Sequence, residues 1–457
     1  MEKTAIKDFT RGNVTKQLIV FSLPLFLSNL LQIVYNMVDM IVVGKVLGKV
    51  GISSVSVGGD VSMLMTFIAM GFSSAGQVII AKYVGAGERR KIGRFVGTMT
   101  GFLLCISLIV TAIGLIFREP ILKIMNTPSE AYAGALSYSV ICISGLFFIY
   151  GYNIVSAILR GMGDSKTPFV FISIAAIMNV VLDIMFVMRL GMGAGGAALA
   201  TVISQATSFV LCAAYLVLRR GYFGLDTKVR DFIFWNREML LSLSKLGVPM
   251  AIKFAAVQVS KLFVNSFINS YGVAVSAFSG IANKIAGISN LISNAMVSAG
   301  STMVGQNIAA KRYTRVKSIM LNLVTITLTV SAIMTTIIGI FPKQVFALFM
   351  DEPDPEVLAI APLYVPIAAL MFFGSSARAF MNSLMNGSGN TKVNFATAIL
   401  DGIVLRIGLA LLFGLGLGMR HFGFWIGDAL AGYTPFFIGI VFYFSGRWKA
   451  GRSAKNK

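Results

Sequence analysis

Apolar stretches long enough to cross a lipid bilayer recur along the whole chain, and this feature limits the possible folds most. A transmembrane helix needs about 20 mostly apolar residues to cross the hydrocarbon core. Only 12% of the residues are charged and 56% are hydrophobic, whereas soluble domains carry about 25% charged residues. We therefore predict an all-α membrane protein with twelve transmembrane helices. The predicted spans are 16–44, 55–80, 95–117, 132–159, 167–188, 193–218, 241–270, 275–304, 317–341, 357–385, 393–418 and 422–446.

The basic residues are distributed unevenly between the two sides of these spans. Of the 39 Lys and Arg residues, 27 fall in the tails and the even-numbered loops, whereas seven fall in the odd-numbered loops. Cytoplasmic loops carry the excess of Lys and Arg. We therefore predict a multi-pass protein of the cell (inner or plasma) membrane with both termini in the cytoplasm. The net charge of +21 does not indicate a nucleic-acid partner, because the basic residues are not clustered on one face.

The second half of the chain repeats the first half. Three pairs of matching positions share an offset of about 225 residues, as expected from a tandem duplication of six spans. They are LRGMGDSKTP (159–168) with LMNGSGNTKVN (384–394), IAKYVGAGERRKIG (80–93) with VGQNIAAKRYTRVK (304–317), and Pro24 with Pro249.

This duplication predicts two pseudo-symmetric six-helix bundles. We place the N-terminal lobe at 1–218, a cytoplasmic linker between the lobes at 219–240, and the C-terminal lobe, which includes a short basic tail, at 241–457. Secondary transporters built from repeats bind substrate near the bilayer midplane, where the repeats meet.

Several functional classes lack their sequence signatures. The motif GxxxxGK[ST], which binds ATP phosphates, does not occur, so ATP hydrolysis within this chain is not the energy source. Three cysteines lie in apolar stretches without the spacing of a disulfide framework or a metal site, and the chain has one histidine. We therefore expect no cofactor and no enzymatic activity. A membrane-embedded transferase is a remote alternative, because it would need a reactive histidine, paired acids near a membrane face, or metal ligands.

Polar residues inside the first span form a single stripe. Asn29, Gln32, Asn36 and Asp39 follow the spacing i, i+3, i+7, i+10, which places them on one side of a helix. Ionisable groups inside a membrane are costly and usually mark a functional site. This stripe therefore faces water or another polar helix.

Four polar residues of three spans lie at one depth. Asp39, Asp183 and Thr201 fall roughly 8–12 Å below the outer surface at about 1.5 Å per helical residue, and Asn179 lies one turn from Asp183. Two carboxyl groups, an amide and a hydroxyl at one depth predict a site for a coupling proton or for sodium. A structural hydrogen-bond network that closes the bundle is the alternative.

The C-terminal half is basic instead. Its spans contain the basic residues Lys253, Lys261, Lys284, Arg378 and Arg406, and the acids Asp401 and Asp428. Asp401 and Arg406 are five residues apart and are predicted to form an ion pair, either with each other or with a neighbour. Three interpretations stay open for Lys253 and Lys261: they extend towards the membrane surface, they pair with acids of the N-terminal lobe, or they contact substrate.

Polar and aromatic residues within the spans also predict a substrate cavity. The cavity residues are Gln32, Asn36, Tyr138, Asn153, Gln258, Lys261 and Asn265.

A proline in the first span predicts a conformational hinge. Pro24 lies inside this span and removes a helical hydrogen bond.

Four segments together resemble the multidrug and toxic compound extrusion (MATE) family, and most closely its DinF-like bacterial and archaeal branch. They are NMVDMIVVG (36–44), LRGMGDSKTP (159–168), NVVLDIMFV (179–187) and GQNIAAKRY (305–313). The resemblance extends over residues 10–446. It implies a MATE/MOP-type fold with a V-shaped pair of six-helix bundles.

The resemblance also implies a function, which is the export of organic, often cationic, compounds by antiport with protons or sodium. In the DinF-like branch the coupling site lies in the N-terminal lobe, which carries over here to Asp39, Asn179, Asp183 and Thr201. Another branch has acidic coupling residues in spans seven and ten. This chain has basic residues and Asn382 there, so we expect no cation site in the C-terminal lobe.

We therefore expect secondary-active efflux of small organic substrates, cationic or zwitterionic, by alternating access between two lobes of a monomer in the lipid bilayer. The basic residues of the C-terminal lobe argue against a purely cationic range of substrates. A flippase of lipid-linked precursors with the same fold is the close alternative, because a basic cavity would suit a pyrophosphate.

Overall fold

The computed structural model describes residues 6–350 and 353–449, which are almost entirely helical and contain no strand. The predicted basic tail lies largely outside these residues. The helices are α1 (Val14–Gly85), α2 (Arg89–Ile116), α3 (Arg118–Ile124), α4 (Ser129–Ser144), α5 (Leu146–Gly161), α6 (Lys166–Asp183), α7 (Gly193–Leu218), α8 (Val229–Ile233), α9 (Arg237–Asn269), α10 (Val273–Ala309), α11 (Tyr313–Ile340), α12 (Pro342–Ala347), α13 (Pro355–Ser388), α14 (Thr391–Ile399), α15 (Leu405–Leu411), α16 (Arg420–Ala431) and α17 (Thr434–Phe444).

These helices account for the twelve predicted spans. Helix α4 and helix α5 meet at a bend of 49° and together form one span. Helices α14 and α15 form another with short π-helical segments between and after them, and α16 and α17 form the last. The predicted spans and the observed helices begin and end within a few residues of each other, because in the bilayer all backbone hydrogen bonds must be satisfied within the segment.

Helix α1 contains two spans rather than one. Its 72 residues would extend about 108 Å as a straight helix, more than twice the thickness of a bilayer. The one residue of α1 with non-helical dihedral angles is Gly48, at φ 60° and ψ −150°. This conformation is almost restricted to glycine, so Gly48 alone makes the turn between the first two spans.

The backbone conformation repeats along with the sequence. Gly272, 224 residues after Gly48, also has a positive φ, of 117°. The turns between α5 and α6 and between α13 and α14 use Gly163 at φ 90° and Gly389 at φ 64°, which are separated by the offset of 226 residues. Tandem duplication therefore preserved the turns as well as the helices.

The chain divides into two compact units. The first unit contains the residues up to Asp8 together with Leu23–Ala251, and the second contains Phe9–Ser22 together with the residues from Ile252 onward. The predicted lobes are 1–218 and 241–457. Compared with the first of these, the first unit lacks residues 9–22 and extends to residue 251.

Hydrogen bonds explain why residues 9–22 belong to the second unit. Arg315 of α11 donates three hydrogen bonds of 2.8 Å to the backbone oxygens of Phe9, Gly12 and Arg11. Asn307 of α10 also donates to the Phe9 oxygen, at 3.1 Å. The sequence offers no signal for these contacts, because nearly all of the acceptors are backbone atoms.

The predicted linker, 219–240, belongs to the first unit. Its short helix α8 packs against α2, where Gly97 and Gly101 leave room for the backbone of Asp231 and Phe232. The linker is therefore a packed part of this unit rather than a free connection.

Candidate functional site

The predicted coupling residues lie together inside the first unit. Asp39 of α1 is 1% exposed, and the Thr201 hydroxyl of α7 donates a hydrogen bond of 3.3 Å to its carboxyl. Helix α7 begins with glycines and alanines from Gly193 to Ala200. Small residues of this kind let membrane helices approach closely, and this brings Thr201 near α1.

Helix α6 supplies the other two residues. Asn179 and Asp183 are one turn apart near its end and are 1% and 0% exposed. Both side chains are close enough to interact with the Asp39 carboxyl, although only Thr201 meets hydrogen-bond geometry with it. A π-helical segment, Ile184–Arg189, follows directly after Asp183. Such segments are frequent at functional sites.

The buried polar atoms of this cluster are largely unsatisfied within the described residues. Buried polar groups normally have partners, and two adjacent buried carboxylates repel each other unless a cation or a proton lies between them. The cluster offers the oxygen ligands that hard cations prefer, so it suits sodium as well as a proton. The side-chain atoms without a hydrogen-bond partner are Asp39 Oδ1, Asn179 Oδ1 and Nδ2, and Asp183 Oδ1 and Oδ2.

The structure adds residues to the cluster that the sequence analysis did not assign to it. Tyr138, predicted as a cavity residue, is 6% exposed and interacts with Thr201 and Cys142. On the other side, the Gln205 amide donates a hydrogen bond of 3.1 Å to the hydroxyl of Tyr35. Tyr35 lies one helical turn before Asp39 on α1, and this spacing is the sequence signal for it.

The other predicted cavity residues do not form one site within either unit. In the first unit, Gln32 is partly buried, Asn36 is exposed, and Asn153 donates a hydrogen bond to the Ile149 oxygen of its own helix. Helix α1 keeps helical dihedral angles at the buried Pro24, so the hinge assigned there stays a prediction.

In the second unit, the predicted cavity residues all lie on α9. Lys261 and Asn265 line the same small cavity, and Gln258 is partly buried one turn before Lys261. The substrate cavity as a whole therefore stays a prediction.

The second unit contains an ion network centred on Arg406. Arg406 is 1% exposed and pairs with Asp401 at 2.9 Å, which confirms the predicted ion pair. The structure adds a second pair between Arg406 and Asp428, which the sequence spacing could not show. The neighbouring bases contact neutral amides instead: Lys253 donates to Asn382 at 2.7 Å.

Comparison with known proteins identifies the family. The sequence model of the MatE family matches residues 24–185 and 249–419, two segments that begin at the paired prolines of the internal repeat. The chain therefore belongs to the MATE family. It is similar to the probable multidrug resistance protein YpnP of Bacillus subtilis, with 28% identity, 97% of this chain and 98% of that protein covered. It is also similar to the probable multidrug resistance protein NorM of Thermotoga maritima, with 24% identity, 95% of this chain and 93% of that protein covered.

Solved structures show the same fold. A MATE protein in the bent conformation aligns with a TM-score of 0.85 at 23% identity, covering 98% of both chains. A MOP superfamily transporter from Pyrococcus furiosus aligns with a TM-score of 0.88 at 22% identity, covering 99% of this chain and all of that one. The predicted twelve-helix MATE/MOP-type fold is confirmed, and the protein is a multi-pass membrane transporter.

Proposed function

We propose that this MATE transporter is a secondary-active exporter of small organic compounds, driven by antiport with protons or sodium. Curated relatives that match nearly the whole chain carry the name of multidrug resistance proteins. The chain has no ATP-binding motif, so an ion gradient is the available energy source. The antiport itself, the coupling ion and the multidrug range are parts of this proposal.

The observation that carries the proposal is the buried pair of acids in the first unit. Asp39 and Asp183 can take up and release a proton or a sodium ion, which changes the charge of the cluster. We propose that one of these two charge states favours substrate release. If ion binding at the cluster and substrate binding to the protein exclude each other, then ion entry drives export by alternating access. Thr201 holds the Asp39 carboxyl by its hydrogen bond, and both Thr201 and Asn179 add oxygen ligands.

The remaining features of the proposal concern topology and branch. The bias of Lys and Arg towards the even-numbered loops supports cytoplasmic termini in the cell membrane. The coupling acids lie in the first unit, which supports the DinF-like branch. We propose a monomer, because each of the two units encloses its own hydrophobic core.

Efflux from proteoliposomes tests the proposal. The full chain is reconstituted with an imposed proton gradient in one series and a sodium gradient in another, and efflux of a fluorescent organic cation is recorded. Asp39→Asn removes the titratable group without changing its size. We expect gradient-driven efflux to fall at least about tenfold, because a lost coupling charge is not replaced by a neutral amide.

Asp60→Asn is the matched control. Asp60 also lies on α1 but is exposed, so its replacement removes one intramembrane carboxyl outside the cluster. Full gradient-driven efflux in the Asp39→Asn protein would contradict the proposed site. An equal loss in both variants would show that the effect is not specific to the cluster.

A flippase of lipid-linked precursors is the second candidate function. The observation that favours it is the excess of basic residues in the second unit, which suits a diphosphate group. A flipping assay with a fluorescent polyprenyl diphosphate lipid in vesicles separates the two functions. Flipping without gradient-driven efflux of soluble compounds would favour the flippase.

A further inference from the structure

The interior of the second unit has more positive than negative side chains. Four basic residues and two acids interact electrostatically there. Arg406 pairs with both acids, and the other three basic residues form no ion pair within the part of the chain that the structure describes. These three residues, which we call the basic cluster, are Lys253, Lys261 and Arg378.

Two members of the basic cluster contact neutral groups. Lys253 donates a hydrogen bond of 2.7 Å to the Asn382 side chain, and Arg378 donates one of the same length to the Asn290 side chain. An amide oxygen satisfies a donor but does not neutralise its charge. The two hydrogen bonds therefore position the cations without compensating them.

The third member of the basic cluster makes no hydrogen bond. Lys261 is partly buried, and its ammonium has no hydrogen-bond or ion-pair partner within residues 6–350 and 353–449. An ammonium offers three donors, and the nearby carboxyl that attracts Lys261, that of Asp428, is already bonded to Arg406. Lys261 therefore has both the donors and the electrostatic need for an anionic partner.

A small cavity adjoins Lys261. Its wall contains the amides Asn265 and Asn283 and the aromatic rings of Tyr364 and Trp425, and these two rings are in edge-to-face contact at 5.1 Å. Ligand sites typically combine apolar and aromatic walls with a few polar groups that fix orientation. Asp428 also lines the cavity but is held by Arg406.

We propose that Lys261, supported by the charges of Lys253 and Arg378, binds the negatively charged group of a transported compound. The group is a carboxylate, sulfonate or phosphate, which is the part of a compound that a cavity of about 20 Å³ admits, so the second unit selects organic anions and zwitterions. This inference rests on the proposed export function for its role in the cell, but the binding step is independent of any ion gradient.

Equilibrium binding to the purified full chain tests this inference. Naphthalene-2-sulfonate and the neutral naphthalene-2-sulfonamide share one ring system and differ in charge, and calorimetry gives both dissociation constants. We expect the wild-type protein to bind the sulfonate at least about tenfold more tightly, and Lys261→Gln to remove this preference, because charge-assisted hydrogen bonds are about twice as strong as neutral ones.

Two further variants separate charge from packing. Lys261→Arg keeps the charge, and we expect it to retain the preference for the sulfonate within about threefold, since guanidinium also binds oxyanions. Lys284→Gln removes one exposed charge from α10 of the same unit, and we expect it to change neither constant. If Lys261→Gln does not fold, Lys253→Gln is measured in the same way. We expect it to reduce the preference for the sulfonate without removing it.

Several results would overturn the inference. They are equal affinity of the wild-type protein for both probes, an unchanged preference in Lys261→Gln, and an equal weakening of both probes, which would assign Lys261 a packing role. Asp39→Asn serves to separate the two proposals, because failure of ion coupling leaves the sulfonate preference intact. Loss of the preference with intact coupling contradicts only the inference about anions.

Discussion

The Thr201 hydroxyl and the Asp39 carboxyl are 162 positions apart in the sequence and 3.3 Å apart in the structure. This hydrogen bond joins α1, the first helix of the unit, to α7, its last membrane span. We therefore expect a change in the charge of Asp39 to affect the packing of these two helices.

The Thr201 hydroxyl is expected to tune ion binding rather than to provide it. Thr201→Ala removes one hydrogen bond to the carboxyl, which is worth about 0.5–1.5 kcal/mol, so the half-saturating concentration of the coupling ion should change about two- to tenfold. Thr201→Ser should restore the wild-type value. Thr207→Ala, which removes a hydroxyl that bonds only to its own helix and to Met178, is the control. Ion-dependent efflux rates from proteoliposomes measure all three.

Asp39 and Asp183 are expected to act as one unit. Because groups that share one function give non-additive losses, the double variant Asp39→Asn/Asp183→Asn should retain as much efflux as the worse single variant. The measurement is a double-mutant cycle on gradient-driven efflux. Losses that add on a logarithmic scale would show instead that the two carboxyls work at separate sites.

The Arg406 network should respond strongly to partial disruption. Arg406→Gln removes the ion-pair partner of both Asp401 and Asp428, and breaking a buried pair destabilises by about 3–5 kcal/mol. The triple variant Asp401→Asn/Arg406→Gln/Asp428→Asn removes all three charges and should recover much of that stability. Melting temperatures of the detergent-solubilised protein, followed by size-exclusion chromatography, distinguish the two. A triple variant that is less stable than the single one would contradict the electrostatic explanation.

Helix packing in the second unit depends on a glycine of α16. A Cβ atom at Gly427 would lie 2.4 Å from the backbone nitrogen of Ala410 in α15. Gly427→Ala should therefore destabilise the protein by about 1–3 kcal/mol, the usual cost of overpacking. Gly280→Ala, on α10, meets no atom within 4 Å and should be neutral or slightly stabilising. The same melting assay compares the two variants.

Much of the fold follows from the sequence because the bilayer demands it. Each span must be apolar, helical and about 20 residues long. Helices α2, α7 and α11 accordingly begin and end within about six residues of their predicted spans. The residues of the proposed coupling site could be selected for a similar reason, since Asp39 and Asp183 are costly in a membrane without a role.

Other features had no such constraint. The docking of residues 9–12 depends on backbone oxygens that any sequence would supply, and the second partner of Arg406 lies 22 positions away on another helix. Tyr138, predicted as a cavity residue, interacts with Thr201 and Cys142, at two other positions of the first unit. Contacts between helices depend on their rotation, which a single sequence leaves undetermined.

The turn at Gly48 fixes the rotation of the first span as well as its end. Because no flexible loop follows residue 47, inserting one residue between Asp39 and Gly48 would turn the preceding helix by about 100° relative to the second span. The Asp39 carboxyl would then point away from α7. The first hairpin of this transporter thus sets an angular register, and the residues on either side of Gly48 should tolerate substitution far better than any change in length.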